Sequence, residues 1–422
     1  MPSLYKMDFV KQILESKELK SRLFFTVLIV LIYRIGSHIP IPGVDIERLN
    51  SLFDGNGVLG FFNLFSGGSF RRFSIFALGI LPYINASIIT QLMVVAIPSL
   101  KELQEDGESG RKQIAQYTRY LAVALSFIQA LVMTAGFREF VFPDVSSTFF
   151  LVYSVLILVA GSSFVMWLGE LCTEKGIGNG ASLLIFVGIV SQMPEYVKNT
   201  YILLVSGTGI LNVLALISIF VLLILAVVVA QEAQRKVPIQ YSKRIGSKTT
   251  SSKSFLPFRL IQGGVMPVIF ASAMLQFPLL VGQLAPQALG SFLSAYYHYD
   301  GVIYNSLFCF LIFFFSYFYA AITFNPEDIS ENLNKHGGFI SGIRPGSETA
   351  AFLDSILSKL TLVGALLLAL IAILPVLGAN VTNVTSFMGL GGTAILIIVG
   401  VAMDIVKQFE TFFLHRRYGD GI

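Results

Sequence analysis

The chain has 422 residues, of which 55% are hydrophobic and 13% charged, with a mean hydropathy of +0.75 and a formal net charge of +4. A soluble globular protein carries about twice that charged fraction, so the composition excludes that class and reads as a polytopic membrane protein. Two distant cysteines, Cys172 and Cys309, and four scattered histidines, His38, His298, His336 and His415, give no disulfide framework, metal spacing or hydrolytic triad.

In chain order, the first 23 residues are polar and helix-prone and lack a small-residue cleavage site, so no removable signal peptide is expected and the first span stays. Spans are predicted at residues 23–39, 73–97, 119–136, 150–170, 181–193, 210–230, 260–282, 303–324, 357–375 and 387–406, ten in all. Between the first two lies an apolar half-span, Gly60 to Phe70, too short to cross about 30 Å of hydrocarbon. Gly67-Gly68 and Arg71-Arg72 break the run there, and a broken backbone at membrane depth has to face protein or water, so this stretch is expected to point inward.

With the N-terminus in the cytoplasm, 23 of the lysines and arginines fall on that side, and only Arg34, Arg48, Arg71, Arg72, Arg138 and Lys198 fall outside. That bias predicts cytoplasmic placement of both termini, because positive charge resists translocation. The inner loops Gln231 to Arg259 and Asn325 to Ile356 are long and charged, and Val237 to Tyr241 is able to extend as a strand or polyproline segment. The first of these loops reads either as a solvated stop-transfer loop beside anionic lipid or as a site for an acidic partner or ribosomal RNA.

The middles of nearly all the spans lack ionisable residues: Arg34, Glu170, Lys359 and Asp404 lie toward span ends. Ion-coupled transporters need such groups at the midplane, so a passive, apolar-lined conduit is favoured over a secondary transporter of a small solute. Gly176-Ile177-Gly178-Asn179-Gly180 looks like a phosphate loop, but it follows a span and lacks a P-loop lysine. A helix-capping turn is the expected reading.

Seven motifs in order carry a resemblance. They are Arg34 to Gly43 (RIGSHIPIPG), Ser74 to Ile84 (SIFALGILPYI), Arg111 to Tyr120 (RKQIAQYTRY), Met166 to Phe186 (MWLGELCTEKGIGNGASLLIF), Gly264 to Ala271 (GVMPVIFA), Gly342 to Gly346 (GIRPG) and Gly391-Gly392-Thr393. Together they resemble the bacterial SecY family, the channel subunit of the preprotein translocase. The resemblance implies an all-α integral membrane protein of ten transmembrane helices, in two pseudo-symmetric five-helix halves, 1–205 and 206–422, around a central pore. It also implies a pore ring of Ile80, Ile84, Ile185, Ile269 and Ile397. β-branched side chains have few rotamers and make a firm collar, and an apolar constriction blocks ions while yielding to any polypeptide. Residues 60–72 match the family's plug, represented by Phe61, Phe62, Leu64 and Phe65, with Gly67 and Gly68 as the hinge.

By the same likeness, spans two and seven form a lateral gate with Ser87, Gln91, Ile261, Gln262 and Phe277. Ile261 stands where the family commonly has Asn, which puts a polar latch in doubt; Ile261→Asn is expected to make the gate harder to open. Arg235, Lys236, Lys243, Arg244 and Arg344 are the implied docking residues for a motor ATPase or the ribosome. The implied partners are the SecE and SecG small membrane subunits, the SecA motor, the ribosome, signal peptides and preproteins. No cofactor, metal or catalytic site is expected. The implied location is the bacterial cytoplasmic (inner) membrane. After His415 to Tyr418 the chain stops within four residues, so a longer cytoplasmic tail is expected to be absent or trimmed.

Overall fold

The computed structural model describes residues 16–53, 63–143, 146–205, 210–241, 244–245, 248–249, 252–275, 278, 301–382 and 392–419. By its contacts the chain divides into two compact units, one of Met1–Ser206 with Gln276–Tyr299 and Val401–Ile422, the other of Gly207–Leu275 with Asp300–Gly400.

The first unit is helical. It contains α1 (Lys17–Gly36), α2 (Ile46–Phe53), α3 (Leu81–Ala96), α4 (Pro98–Glu105), α5 (Glu108–Gly136), α6 (Ser147–Lys175) and α7 (Gly180–Val205). The predicted second span is corrected here, because helix begins only at Leu81, whereas Ser66–Ile80 is a succession of turns. The cause is a competing backbone pairing. Ile41 N–H donates to the Phe73 carbonyl at 2.9 Å and Ile75 N–H to the Ile39 carbonyl at 3.0 Å, which engages the amides a helix would have used. Ile80 then caps α3, with Pro82 in its first turn, where the missing N–H costs nothing.

At its other end α3 bends by 101° into α4, across Ile97 and Pro98. Around the pairing, Phe73 and Phe137 meet edge to face at 5.5 Å in a core with Phe150, Ile41, Leu78 and Leu158. Glycines let the motif segments touch. A side chain at Gly36 would run into the Phe76 ring, and one at Gly161 into the Ile75 carbonyl.

The second unit holds α8 (Ile210–Glu232), β1 (Gln234–Tyr241), β2 (Ser252–Arg259), α9 (Met266–Met274), α10 (Val302–Thr323), α11 (Pro326–Lys335), β3 (Gly338–Ile340) and α12 (Ser347–Thr382). The last helix, α13 (Gly392–Gly419), begins in this unit and runs into the first at Val401. The small antiparallel sheet, in the order β2-β1-β3, is an addition to the all-helical expectation. Between β1 and β2, residues 244–245 pair with 248–249. Val237 packs into a cluster with Phe258, Ile340, Leu353 and Leu357, and Ile239, two residues on, is likewise buried, the period of two that a half-buried strand requires. β3 ends at Ile340 opposite Ile239, one residue short of Pro238, which has no N–H to give.

Seven helices among the described residues are long and apolar enough to cross a membrane, or eight if the bent pair α3 and α4 is one span. Two of the ten expected spans fall outside that count. α1 is 20 residues long but carries Lys17, Glu18, Lys20, Arg22 and Arg34, and α9 is nine residues long.

Candidate functional site

The half-span ends in a hydrogen-bonded knot. The Asn63 carbonyl accepts from Gly68 N–H at 2.9 Å, and its Oδ1 accepts from Arg71 N–H at 3.0 Å. Ser66 Oγ accepts from Phe70 N–H at 3.0 Å. Leu64 and Phe65 are buried, in keeping with an inward-pointing segment, and Phe61 and Phe62 lie outside the described residues.

Gly67 and Gly68 adopt φ of +65° and +85°, a region that L side chains enter only at a cost. Both press on α7. A Cβ on Gly67 would stand 2.9 Å from the Gly188 Cα, and one on Gly68 would collide with the Gln192 amide. The pair is thus a packed turn required by backbone conformation and close approach.

Three of the isoleucines, Ile80, Ile84 and Ile185, belong to the same unit as this knot. Ile80 follows Gly79, whose φ is +55° and which approaches the Ser66 backbone. Ile84 N–H donates to the Ile80 carbonyl at 3.1 Å, so the two stack one turn apart although helix proper starts between them. The Ile80 tip packs toward Gly169 of α6, where Leu184 also arrives. Ile185 lies on α7 three residues before Gly188, on the face that meets Gly67.

In the second unit a Cβ on Gly400 of α13 would strike the Val265 side chain. Val265 is one turn before Ile269, and Gly400 one turn after Ile397, so this contact brings the two helix faces together. All five isoleucines are at most 5% exposed.

Of the gate residues, Gln91 Nε2 donates to Ser87 Oγ at 3.2 Å along α3. Ile261 and Gln262 line a small cavity of about 10 Å³ in the second unit with Ser316, Thr361 and Gly364. Gln262 Nε2, Ser316 Oγ and Thr361 Oγ1 are buried there without hydrogen-bond partners among the described residues. Phe277 lies outside the described residues.

Of the basic residues, Arg235 and Lys236 open β1 with exposed side chains. Arg344 is exposed in the turn between Gly342 and Gly346, at φ of +85° and +107°, and its carbonyl accepts from Thr349 Oγ1 at 2.8 Å. Because β3 runs antiparallel to β1, the chain leaving Ile340 heads toward the end of β1 that carries Arg235 and Lys236. Arg244 belongs to the short pairing at 244–245, and Lys243 lies outside the described residues. Beside the turn, Glu327, Glu331 and Asp354 line an acidic cleft of about 660 Å³. The Lys335 ammonium, 2.7 Å away, holds the Glu331 carboxyl below its usual range.

The glycine-rich segment after α6 spends its amides on protein. Ile177, Gly178 and Gly180 N–H groups donate to Thr26 Oγ1, Gln408 Oε1 and Thr173 Oγ1, and Asn179 Oδ1 caps α7 through Ala181 and Ser182. No group of three or more His, Cys, Asp or Glu able to hold a metal occurs among the described residues.

Sequence reasoning missed three polar anchors: Asn63, Ser191 and Arg34. Arg34 Nη1 donates to the Gly67 carbonyl at 3.0 Å and to Ser191 Oγ at 2.9 Å. The readable signal was a guanidinium inside an apolar run, which marks a functional position by default.

The model of the SecY family matches residues 74–406. Among similar chains, the protein translocase subunit SecY of Synechocystis sp. is 43% identical, covering 96% of this chain and 95% of that one. That of Aquifex aeolicus is 40% identical, covering 97% and 98%. Solved structures share the fold at 18% identity. A protein conducting channel aligns with a TM-score of 0.66 over 94% of this chain and 93% of that one, and Sec61 from a canine ribosome-channel complex aligns with 0.63 over the same shares. A family model spanning most of the sequence and full-length relatives at this identity establish that the chain belongs to the SecY family.

Proposed function

We propose that the chain is the protein-conducting subunit of a bacterial translocase, passing secretory preproteins across the cytoplasmic membrane and releasing apolar segments sideways into lipid. The observation that carries this reading is the half-span knot seated beside Ile80, in a chain of this family. A polar polypeptide cannot cross hydrocarbon unaided, since a central Asp, Lys or Arg costs roughly 2.5–3.5 kcal/mol, whereas Leu or Ile gains a few tenths. Polar chain therefore crosses inside protein, and apolar spans leave through a side opening.

In this reading ten spans in halves 1–205 and 206–422 surround the pore, with both termini in the cytoplasm. Ile80, Ile84, Ile185, Ile269 and Ile397 form an apolar constriction that dewets when idle. Residues 60–72 are the stopper, and α3 and α9 with Ser87, Gln91, Ile261, Gln262 and Phe277 make the gate. Energy comes from a cytosolic motor ATPase or the ribosome docking on Arg235, Lys236, Lys243, Arg244 and Arg344; the channel itself is passive, with no catalytic site. SecE and SecG subunits, signal peptides and anionic lipids complete the environment. Cysteines at positions 80 and 269 should crosslink to a stalled secretory precursor; contact with lipid alone would overturn the reading.

A further inference from the structure

We propose that Arg34 is a positioning residue that latches the stopper in the idle channel. This rests on reading residues 60–72 as the stopper. Arg34 closes α1 and is partly buried, and its Nη1 reaches both the Gly67 carbonyl and Ser191 Oγ. Ser191 in turn donates to the carbonyl of Gly188 at 2.6 Å, the same glycine that Gly67 touches. One residue earlier, the Tyr33 hydroxyl donates to the Ser66 carbonyl at 3.3 Å. The end of the half-span is thereby tied to α1 by Tyr33 and Arg34, and the Arg34 guanidinium alone of these also reaches α7.

The chemistry suits a releasable catch. A guanidinium sheltered from water demands acceptors, and here both are neutral. Among the described residues no carboxylate lies within ion-pair distance of Arg34. An ion pair shielded from water would bind the segment harder and leave an unpaired charge on opening. Hydrogen bonds to a backbone carbonyl and a hydroxyl hold it through donors that water can replace once the segment lifts. The carbonyl at Gly67 is presented by its positive φ. A further tie, the Arg71 ion pair with Glu195 at 3.1 Å, is more exposed and screened by salt.

The test is resting ion leak in planar bilayers, using the full channel with the membrane subunits it copurifies with. Loss of charge-assisted hydrogen bonds shifts an equilibrium by about tenfold or more, so Arg34→Ala should raise the leak by about that factor. Ser191→Ala, which removes one acceptor and leaves the helix intact, should raise it severalfold and serves if Arg34→Ala fails to assemble. In a variant lacking residues 60–65, already leaky, Arg34→Ala should add nothing. An unchanged leak in Arg34→Ala and Ser191→Ala, or an equal increment with and without residues 60–65, would refute the latch. If removing residues 60–65 leaves the channel tight, the stopper reading itself falls.

Discussion

Arg119 donates through Nε to Glu170 Oε1 at 2.8 Å, pinning α5 to α6. The two residues come from different sequence motifs, and each charge is met by its opposite across the two helices. Glu170 is the less exposed partner, at 25% against 50%. Glu170→Gln keeps an acceptor for the guanidinium and should cost no more than about 1 kcal/mol, as partly exposed ion pairs do. Glu170→Lys should cost more, and Arg119→Glu in the same chain should restore most of it. Thermal unfolding of these three variants and the unaltered chain in detergent, at low and high salt, checks this; equal Tm values for Glu170→Lys alone and the charge-swapped pair would refute a direct interaction.

Gly67→Ala distinguishes a packed turn from a hinge. A flexible pivot tolerates alanine, whereas a residue at φ of +65° pressed on Gly188 does not. The left-handed conformation alone costs about 1–2 kcal/mol, before any displacement of α7. Gly67→Ala should therefore loosen the shut state and raise the resting ion leak. Gly136→Ala is the control, since among the described residues nothing beyond its own helix backbone and chain neighbours lies within 4 Å of its Cβ position and no positive φ occurs there. If Gly67→Ala is as silent as Gly136→Ala, the turn is not under constraint.

Hydropathy located the long helices α5 to α8, α10, α12 and α13 well because each buries one face and needs no partner to satisfy its backbone. It failed at residues 73–80, where apolar side chains accompany turns. What decides that segment is the pairing of Phe73 and Ile75 with Ile41 and Ile39, more than 30 residues away, and no local period reports such a contact. The sheet was half legible. Val237 to Tyr241 alternates as a strand should, but its partner β3 is three residues long and lies in another loop. The constriction residues were chosen by motif likeness, since isoleucine is plentiful in every span, while Arg34 was visible but had no partner until the turn at Gly67 was seen.

Two threonines should respond oppositely to the same substitution. Thr361 Oγ1 is buried with no hydrogen-bond partner among the described residues, beside Ser316 and Gln262. Thr361→Val removes an unsatisfied hydroxyl at constant shape and should be neutral or stabilising by up to about 1 kcal/mol. Thr26 Oγ1 instead donates to the Arg22 carbonyl at 2.9 Å and accepts from Ile177 N–H at 3.1 Å. Thr26→Val leaves that amide unserved and should cost about 1–3 kcal/mol. Tm values for both variants settle the comparison; a large loss in Thr361→Val would mean that its hydroxyl is bonded.

Arg344 sits where charge can act on a partner without serving the fold. Its side chain is exposed and makes no hydrogen bond among the described residues, while the turn that presents it is fixed independently. The Arg344 carbonyl accepts from Thr349, and the Gly346 carbonyl accepts from Ser330 Oγ at 2.7 Å. Reversing the charge therefore should leave the sheet and α12 intact. On the proposed function, Arg344→Glu should abolish motor-driven translocation, because a planar and permanently charged donor is replaced by an acceptor at the contact. Arg344→Lys should retain part of the activity, more at low ionic strength than at high. The measurements are precursor-stimulated ATP hydrolysis by the motor, uptake of a preprotein into vesicles, and Tm of the channel. Normal ATPase stimulation with Arg344→Glu would remove this residue from the docking site, and a fall in Tm would assign it to the fold instead.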